Sequence, residues 1–233
     1  MLTRNINFKN FRIKRSNKKI KQDIKLFFKE DSSILESLKP TYKNSFNKGF
    51  TKKFKKYSDI IIIGMGGSIL GTESIYDFLK YKIKKNFSFI NNLQSNKNFI
   101  KKKDTLNIIV SKSGNTLETI SNVNIIIKKN DKNIFITENK KSYLLLLAKK
   151  LKAEIVHHNN FIGGRFSVLS EVGMLPAEMM GLNEKKFKQI NNLIKNKKFI
   201  NSLTYNVSNS LYFLKKKKFN SIILNYDENS ENL

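Results

Sequence analysis

Between about residues 58 and 180, short apolar runs alternate with stretches of helical spacing. Residues 60–63 are four consecutive isoleucines, a pattern typical of a strand buried inside a parallel sheet. Further strands are predicted at 87–90, 106–110, 133–137 and 154–156. Helical patterns extend to about Lys80, to about Lys128 and over 143–151. Strands that alternate with helices predict an α/β domain, with an open parallel sheet covered on both faces.

The two ends of the chain have different patterns. Residues 1–50 are basic and mostly compatible with helix, and Asp31-Ser32-Ser33 predicts a capped short helix that ends at Pro40. After about residue 181 the pattern predicts two helices and then a buried strand over 219–226. Because the chain stops soon after this strand, we expect an incomplete second domain. The predicted division is an N-terminal helical segment (1–50), an α/β domain (51–182) and the start of a second domain (183–233).

The charge of the chain is strongly one-sided, with 45 Lys and Arg against 18 Asp and Glu and a net charge of +27. Such a balance suggests a nucleic-acid partner. However, all but four of these cations are lysines, and they run along the whole chain. Asn, Ile and Phe, which have A/T-rich codons, are abundant, whereas Ala, Pro and Trp are scarce. We therefore attribute the charge to the base composition of the genome and expect no nucleic-acid partner, although a positive field should attract anionic substrates.

Composition also excludes several kinds of site. The chain has no cysteine, which rules out disulfides, thiol nucleophiles and thiolate metal sites, and its two histidines are too few for a multi-histidine centre. We expect no metal and no cofactor. The longest apolar stretch, 60–71, has about half the length of a membrane-spanning helix. The N-terminus lacks the apolar core of a secretory signal; a transit peptide is the alternative, and we favour the cytoplasm.

The first candidate turn, GMGGSILG at 64–71, follows the isoleucine strand and opens a helix. Backbone N–H groups and glycines in this setting form an anion site. The dinucleotide pattern fails because Ile69 replaces a required glycine, and the later acid is replaced by Asn91 and Asn92. The P-loop pattern fails because Thr72 follows Gly71. A tight turn without a ligand is the alternative.

The second candidate turn, SKSGNT at 111–116, also follows a predicted strand and opens a helix. Three hydroxyls, from Ser111, Ser113 and Thr116, stand near the ammonium of Lys112 and the N–H groups of the helix start. These are the donors that a phosphate monoester requires. Ordinary helix capping is the alternative, but one cap does not need three hydroxyls and a lysine.

The third segment, GGRFS at 163–167, contains Arg165, the only arginine after Arg15. Its planar guanidinium suits an oxyanion better than an ammonium does, and a surface salt bridge is the alternative. A helix is predicted over 168–180. Three of its methionines are predicted to be core residues, namely Met174, Met179 and Met180.

His157 and His158 precede a predicted loop. One of them is a candidate proton carrier. Adjacent side chains point in different directions in any regular element, and we favour solvated or capping roles for these two.

These three segments resemble the motifs of the glucose-6-phosphate isomerase family. The family patterns Gly-x-Gly-Gly-Ser-x-Leu-Gly, Ser-Lys-Thr/Ser ending in Thr-x-Glu-Thr, and Gly-Gly-Arg-Phe/Tyr-Ser-Val-x-Ser occur here as GMGGSILG, SKSGNTLET and GGRFSVLS. The resemblance covers about 58–180. It implies a sugar-isomerase (SIS) fold, which is a three-layer αβα sandwich. It also implies conversion of glucose 6-phosphate to fructose 6-phosphate through a cis-enediol, without metal or cofactor, in a homodimer.

The resemblance also assigns roles to residues. The positions implied for the phosphate are Ser111, Lys112, Ser113 and Thr116. Gly67 and Ser68 would contact the sugar end, and Arg165 would stabilise the charge of the enediol intermediate. Glu118 aligns with a family glutamate near the ring-opening histidine and is a further catalytic candidate.

Two departures leave alternatives open. Many family members have Thr-Phe-Thr where this chain has Ser113-Gly114-Asn115, which keeps a bifunctional phosphoglucose/phosphomannose isomerase as an alternative. A non-catalytic SIS module that senses sugar phosphates is another. Removal of the C2 proton needs a carboxylate base. The family's base glutamate lies in a Glu-Ser-x-Gly-Lys segment, and this segment is absent from the sequence. We therefore expect an N-terminal portion of the enzyme, which binds sugar phosphate weakly and does not turn it over.

Overall fold

The computed structural model describes residues 17–30, 32–93 and 104–220, together with residues 222, 225, 226 and 228. These residues fall into two compact units. The first contains the described parts of Met1–Ser32 and Lys185–Leu224. The second contains Ser33–Glu184 and the described residues after 224.

Five parallel strands form one sheet in the described part of the second unit, in the order β2-β1-β3-β4-β5. The strands are β1 (Asp59–Ile63), β2 (Asn86–Ile90), β3 (Thr105–Val110), β4 (Lys132–Glu138) and β5 (Glu154–His158). All residues of β3 are buried because this strand lies in the middle of the sheet and is covered on both faces. The strands predicted between residues 60 and 156 are confirmed, and so is the α/β class with a parallel sheet.

The described helices surround this sheet or belong to the first unit. They are α1 (Lys18–Phe27), α2 (Lys48–Lys52), α3 (Leu70–Leu79), α4 (Leu117–Ile126), α5 (Tyr143–Lys150), α6 (Glu171–Met179), α7 (Glu184–Phe187), α8 (Asn191–Ile194) and α9 (Lys197–Lys215). Short 3-10 helices occupy Ser33–Leu38, Gly66–Ser68, Lys80–Lys82, Gly164–Phe166 and Lys188–Ile190.

Both faces of the sheet are packed against helices. Ile61, Ile109 and Phe135 point to the face covered by α4 and α5, where they contact Val123 and Leu144. The connection from β1 to β2 runs toward one edge of the sheet, and the connections from β3 through β4 to β5 run toward the other edge. Right-handed crossovers therefore place α3 on the opposite face, where it packs against α6. The αβα layering implied by the resemblance follows from this arrangement.

Residues 33–50 belong to the sheet unit and are held in it by hydrogen bonds. The Ser37 hydroxyl donates to the carbonyl of Phe166 at 2.8 Å, and Tyr42 donates to Glu171 at 2.6 Å. The short helix predicted near Pro40 is the 3-10 helix Ser33–Leu38; Asp31 lies outside the described residues.

The first unit is a helical assembly in which α1 packs against α9. Each helix is capped by an asparagine side chain: Asn17 accepts from the N–H of Lys19, and Asn196 accepts from that of Lys198. The ammonium of Lys21 donates to Asn201 at 2.9 Å. Throughout the described ranges, none of the helices combines the length and apolarity that crossing a membrane requires.

Two predicted elements differ from the structure. The helix predicted over 168–180 begins only at Glu171, because the side chain of Ser170 caps it by accepting from the N–H of Val172. Its three methionines are buried as expected. In the strand predicted over 219–226, positions 221, 223 and 224 lie outside the described residues. Phe219, Ile222 and Tyr226 are in no strand and are 70%, 85% and 92% exposed, since none of the described strands pairs with this run.

Candidate functional site

The first two candidate turns lie side by side at the carboxyl edge of the sheet. The register of β1 against β3 pairs Ile63 with Ile109, so Gly64 follows beside Val110, the residue before Ser111. A Cβ added to Gly64 would lie 3.1 Å from the carbonyl oxygen of Val110, so this position is closely packed. Ligands of open parallel sheets bind at this edge.

Two of the three hydroxyls of the second turn, those of Ser111 and Thr116, face each other, whereas that of Ser113 does not join them. Ser111 is 2% exposed, and its Oγ lies 3.1 Å from Oγ1 of Thr116. The same Oγ accepts from the N–H of Gly114 at 3.2 Å. Ser113 is exposed, and its Oγ accepts from the N–H of Asn115. The capping alternative does not hold for Thr116, which is the N-cap residue of α4 but makes no side-chain capping bond.

The start of α4, like that of α3, has no side-chain cap, in contrast to five other described helices. In α1, α2, α5, α6 and α9, the side chain of the N-cap residue accepts from a first-turn N–H group. In α3 and α4, which follow the two candidate turns, it does not. The first N–H groups of a helix lack partners within the helix and favour an anion there. Both uncapped helix starts therefore suit an anionic ligand at the carboxyl edge.

Glycine is required at position 114 of the second turn. Its φ of +66° lies in the left-handed region, and an added Cβ would come within 2.2 Å of Oγ of Ser142. The carbonyl of Gly114 accepts from the N–H of Leu144 at 3.0 Å, and the side chain of Asn115 accepts from the N–H of Tyr143 at 2.9 Å. The turn is thus fixed against the start of α5.

Lys112 has a partner that the sequence analysis missed. Its Nζ lies 3.4 Å from Oε1 of Glu138, the last residue of β4, and Nζ of Lys140 lies 3.3 Å from the other carboxylate oxygen. Glu138 is 7% exposed, so a buried carboxylate sits between two ammonium groups. Glu138 could have been found from its position, because it too follows a buried strand at the carboxyl edge.

The first and third segments are in direct backbone contact. A Cβ added to Gly67 would lie 2.5 Å from the carbonyl of Gly164, so a side chain at Gly67 would separate the two segments. The hydroxyl of Ser167 links them further by lying 3.0 Å from the carbonyl oxygen of Gly67 and 2.8 Å from that of Gly164. This contact holds the segment of Arg165 beside the first turn.

The remaining candidates are accessible. Arg165 is exposed in the 3-10 helix Gly164–Phe166, and its guanidinium makes no ion pair or hydrogen bond with the described residues, contrary to the salt-bridge alternative. Ser68 is partly buried, and its hydroxyl has no hydrogen bond in the described ranges. Glu118 lies in the first turn of α4 and is partly buried. No described hydrogen bond or ion pair joins Glu118 to another candidate.

A buried cluster next to the third segment was also missed. β5 is longer than predicted and ends with the two histidines. His157 is exposed, but His158 is 3% exposed, so the solvated role, one of the two that were favoured, is wrong for His158. Its Nδ1 lies 3.2 Å from Oε2 of Glu171, and its Nε2 lies 3.0 Å from the carbonyl oxygen of Ile162. Tyr42 donates to the other oxygen of Glu171. Two signals were available in the sequence. His158 lies close to the GGR segment, and Glu171 directly follows the capping Ser170.

Electrostatics of this cluster favour an ionised carboxylate. Burial by itself raises the pKa of Glu171, but the hydrogen bonds from His158 and Tyr42 outweigh burial and hold that pKa below its ordinary value of 4.5. Burial and the bond to Glu171 raise the pKa of Tyr42, which remains a donor. The cluster positions the loop before Arg165 and has no described contact with the hydroxyl turn.

Comparison with solved structures supports the fold. A hypothetical protein of Thermus thermophilus aligns with a TM-score of 0.62 and 19% identity over 84% of this chain and 52% of that chain. At this identity the similarity shows the fold alone. The chain therefore has an α/β fold with a glycine turn and a hydroxyl turn at the carboxyl edge of its parallel sheet.

Sequence comparison identifies the family. The family model of phosphoglucose isomerase matches residues 3–209, and the chain belongs to this family. A relative from Methanocaldococcus jannaschii, named glucose-6-phosphate isomerase, is 34% identical over 76% of this chain and 48% of its own length. A relative of the same name from Borreliella afzelii is 34% identical over 73% of this chain and 35% of its own length. The resemblance is confirmed, and the chain spans between about a third and a half of these relatives.

Proposed function

We propose that this chain forms the sugar-phosphate-binding part of a cytoplasmic glucose-6-phosphate isomerase, which interconverts glucose 6-phosphate and fructose 6-phosphate. The observation that carries the proposal is the pair of uncapped helix starts, α3 and α4, beside the facing hydroxyls of Ser111 and Thr116. Family membership and the names of the relatives support it. The enzyme would act as a homodimer.

In this proposal the phosphate lies at the second turn. Ser111, Ser113 and Thr116 donate hydroxyl protons, while the first N–H groups of α4 point at the same anion. Lys112 supplies positive charge, and Lys140 offsets the charge of Glu138, so the carboxylate does not repel the ligand. Gly67 and Ser68 would meet the sugar end, where Gly67 lets the backbone approach closely.

Arg165 would act at the reacting carbons. An enediol intermediate carries developing negative charge, and an exposed guanidinium without a described carboxylate partner can stabilise it. Glu118 would assist ring opening. Removal of the C2 proton needs a further carboxylate base, which the family holds in a segment that this sequence does not contain. We therefore propose that the chain alone binds the substrate but does not turn it over.

Binding is tested by titrating the chain with fructose 6-phosphate while the melting temperature is followed, with fructose and inorganic phosphate as controls. A ligand at about 100 times its Kd stabilises the folded state by about 2.7 kcal/mol. Ser111→Ala/Thr116→Ala should remove this shift, whereas Ser88→Ala/Ser121→Ala, which alters two hydroxyls away from the turn, should keep it. An equal shift in both double variants would refute the assignment of the phosphate.

The role of Arg165 is tested with 6-phosphogluconate, which carries a carboxylate at the end opposite to its phosphate. A hydrogen bond to a charged group contributes about 1.5–3 kcal/mol. Arg165→Gln should therefore weaken the binding of 6-phosphogluconate by at least about tenfold, and should weaken the binding of fructose 6-phosphate much less. Arg165→Lys should restore part of the loss. Equal weakening of the binding of both ligands would contradict a charge-directed role.

Turnover of glucose 6-phosphate by the purified chain would overturn the claim that the chain lacks the base.

A further inference from the structure

A cavity rich in lysine lies in the second unit at the amino end of β2, opposite to the carboxyl edge of the sheet. It has a volume of about 540 Å³, within the range of small-ligand sites. Its charged lining consists of six lysines and a single carboxylate, Glu178. The lysines are Lys48, Lys52, Lys55, Lys82, Lys84 and Lys85. We call this space the lysine cavity.

The lysine cavity is assembled by tertiary structure and not by one run of basic residues. α2 and the turn after it supply one wall, and the residues between α3 and β2 supply a second. The end of α6 and the following turn, Met179 to Asn183, close the space. Base composition accounts for many lysines along the chain, but it does not account for their meeting around one concave space.

The ammonium groups of the lysine cavity are not neutralised by the described protein. In the described ranges none of the six forms an ion pair with a carboxylate. Lys85 is partly buried and donates to the carbonyl of Lys55 at 3.2 Å. Burial, and then the charge of Lys55, lower the pKa of the Lys85 ammonium. The other five lysines are exposed. Lys85 and Lys55 repel each other across the cavity wall, and a bound anion would relieve this repulsion.

The lysines do not serve as caps for α6. The last carbonyls of this helix accept from backbone groups: Pro176 from the N–H of Met180, Ala177 from that of Leu182, and Glu178 from that of Gly181. A cation near a helix end often satisfies such carbonyls, but here they are already bonded. These three carbonyls of α6 therefore leave no capping role for the lysines of the cavity.

We propose that the lysine cavity binds an anion that carries several linked phosphate groups. Ammonium groups bind phosphate as point charges without the planar geometry that arginine imposes. Several cations around one space suit a ligand with several charges. None of the described lining residues is aromatic, so the cavity lacks a ring for base stacking. The phosphate chain itself is the recognised group, whether it comes from inorganic polyphosphate or from a nucleoside triphosphate.

The test measures binding of tripolyphosphate, ATP and adenosine by calorimetry at about 0.15 M KCl, where surface charges are screened beyond about 8 Å. The cavity variant is Lys52→Gln/Lys82→Gln/Lys85→Gln. Its matched control is Lys149→Gln/Lys150→Gln/Lys152→Gln, which removes the same charge from three exposed lysines around the end of α5. Circular dichroism checks that both variants fold, and the exposed pair Lys82→Gln/Lys84→Gln serves if the triple cavity variant does not.

The cavity variant should bind tripolyphosphate at least about tenfold more weakly than the unmodified chain, and the control should change less than about twofold. ATP should bind no more tightly than tripolyphosphate, and adenosine should not bind. Equal losses in the two triple variants would show a diffuse field and overturn the proposal, as would no loss in either. Loss of tripolyphosphate binding in Ser111→Ala/Thr116→Ala would place the anion at the hydroxyl turn instead. Tighter binding of ATP would overturn recognition by phosphate alone.

Discussion

Replacement of Glu171 by alanine should destabilise the protein far more than replacement of an exposed glutamate. Glu171 is 2% exposed, and one carboxylate oxygen accepts from the hydroxyl of Tyr42 at 2.6 Å and the N–H of Ser45 at 3.3 Å. The other faces Nδ1 of His158 at 3.2 Å. Alanine would leave these donors buried or partly buried without their acceptor.

The magnitude follows from these contacts. A buried donor left unsatisfied costs about 1–3 kcal/mol, and Glu171 has contacts with three such groups, on Tyr42, Ser45 and His158. We therefore expect Glu171→Ala to lower the free energy of unfolding by about 4 kcal/mol. For a chain of this length this corresponds to a fall in Tm of roughly 8–16 °C. Glu171→Gln should cost less, because its amide oxygen can still accept from Tyr42.

Urea unfolding followed by circular dichroism measures this difference. The matched control is Glu154→Ala, since Glu154 pairs with Lys53 at 3.3 Å but is one-third exposed. Exposed pairs contribute about 0–1 kcal/mol, so this control should lose little. If Glu171→Ala lost no more stability than Glu154→Ala, the buried carboxylate would not hold the cluster together and the reasoning would be wrong.

Three further predictions concern stability. The pKa of Glu171 is lower in the folded protein than its ordinary 4.5, so its contribution is complete above about pH 4.5 and is lost as pH falls through the folded value. Between about pH 5 and 3 the unmodified chain should therefore lose more unfolding free energy than Glu171→Gln. Gly114→Ala should cost about 1–3 kcal/mol because of its positive φ and the blocked Cβ position, as measured by urea unfolding. Asn133→Val should cost about 1–3 kcal/mol by thermal and urea unfolding, because Nδ2 of the buried Asn107 donates to Asn133 at 2.7 Å and would lose its acceptor.

Each of these predictions has a control. Equal loss of stability on acidification in the unmodified chain and in Glu171→Gln would contradict the pH prediction. Gly163→Ala, where an added Cβ meets nothing within 4 Å, should change stability by less than about 0.5 kcal/mol, and a similarly small cost at Gly114 would argue against strain. Asn107→Val/Asn133→Val removes both partners and should be nearly neutral. A double variant as unstable as Asn133→Val alone would contradict the unsatisfied-donor explanation.

Local sequence patterns predicted the elements of the sheet because each strand carries its own signal. Both β1, with its isoleucine run, and the fully buried β3 have mostly apolar sequences, because both faces of the sheet are covered. The same kind of run at 219–226 predicted a strand that its described residues do not form. Hydrophobicity alone does not supply the neighbouring strand whose backbone groups a new strand must pair with.

Candidate chemistry was predictable where ligand donors are adjacent in sequence and not where they come from distant segments. Ser111 and Thr116 are five residues apart and meet at 3.1 Å. Tyr42 and Glu171 are 129 residues apart, and only the tertiary structure of the sheet unit reveals their bond. A solvated or capping role was predicted for His158, because the local pattern did not show that β5 extends to this residue and that its ring is buried.

The sequence by itself determined the class of fold, the family and the hydroxyl turn, since strand periodicity, glycine placement and short motifs are local properties. Tertiary structure decided which charges are compensated. It paired Lys112 with Glu138, left Arg165 without a described partner, buried Glu171 among donors, and gathered six lysines around one cavity. The physical reason is that electrostatic energy depends on distances and burial between residues far apart in the chain, which composition and spacing do not specify.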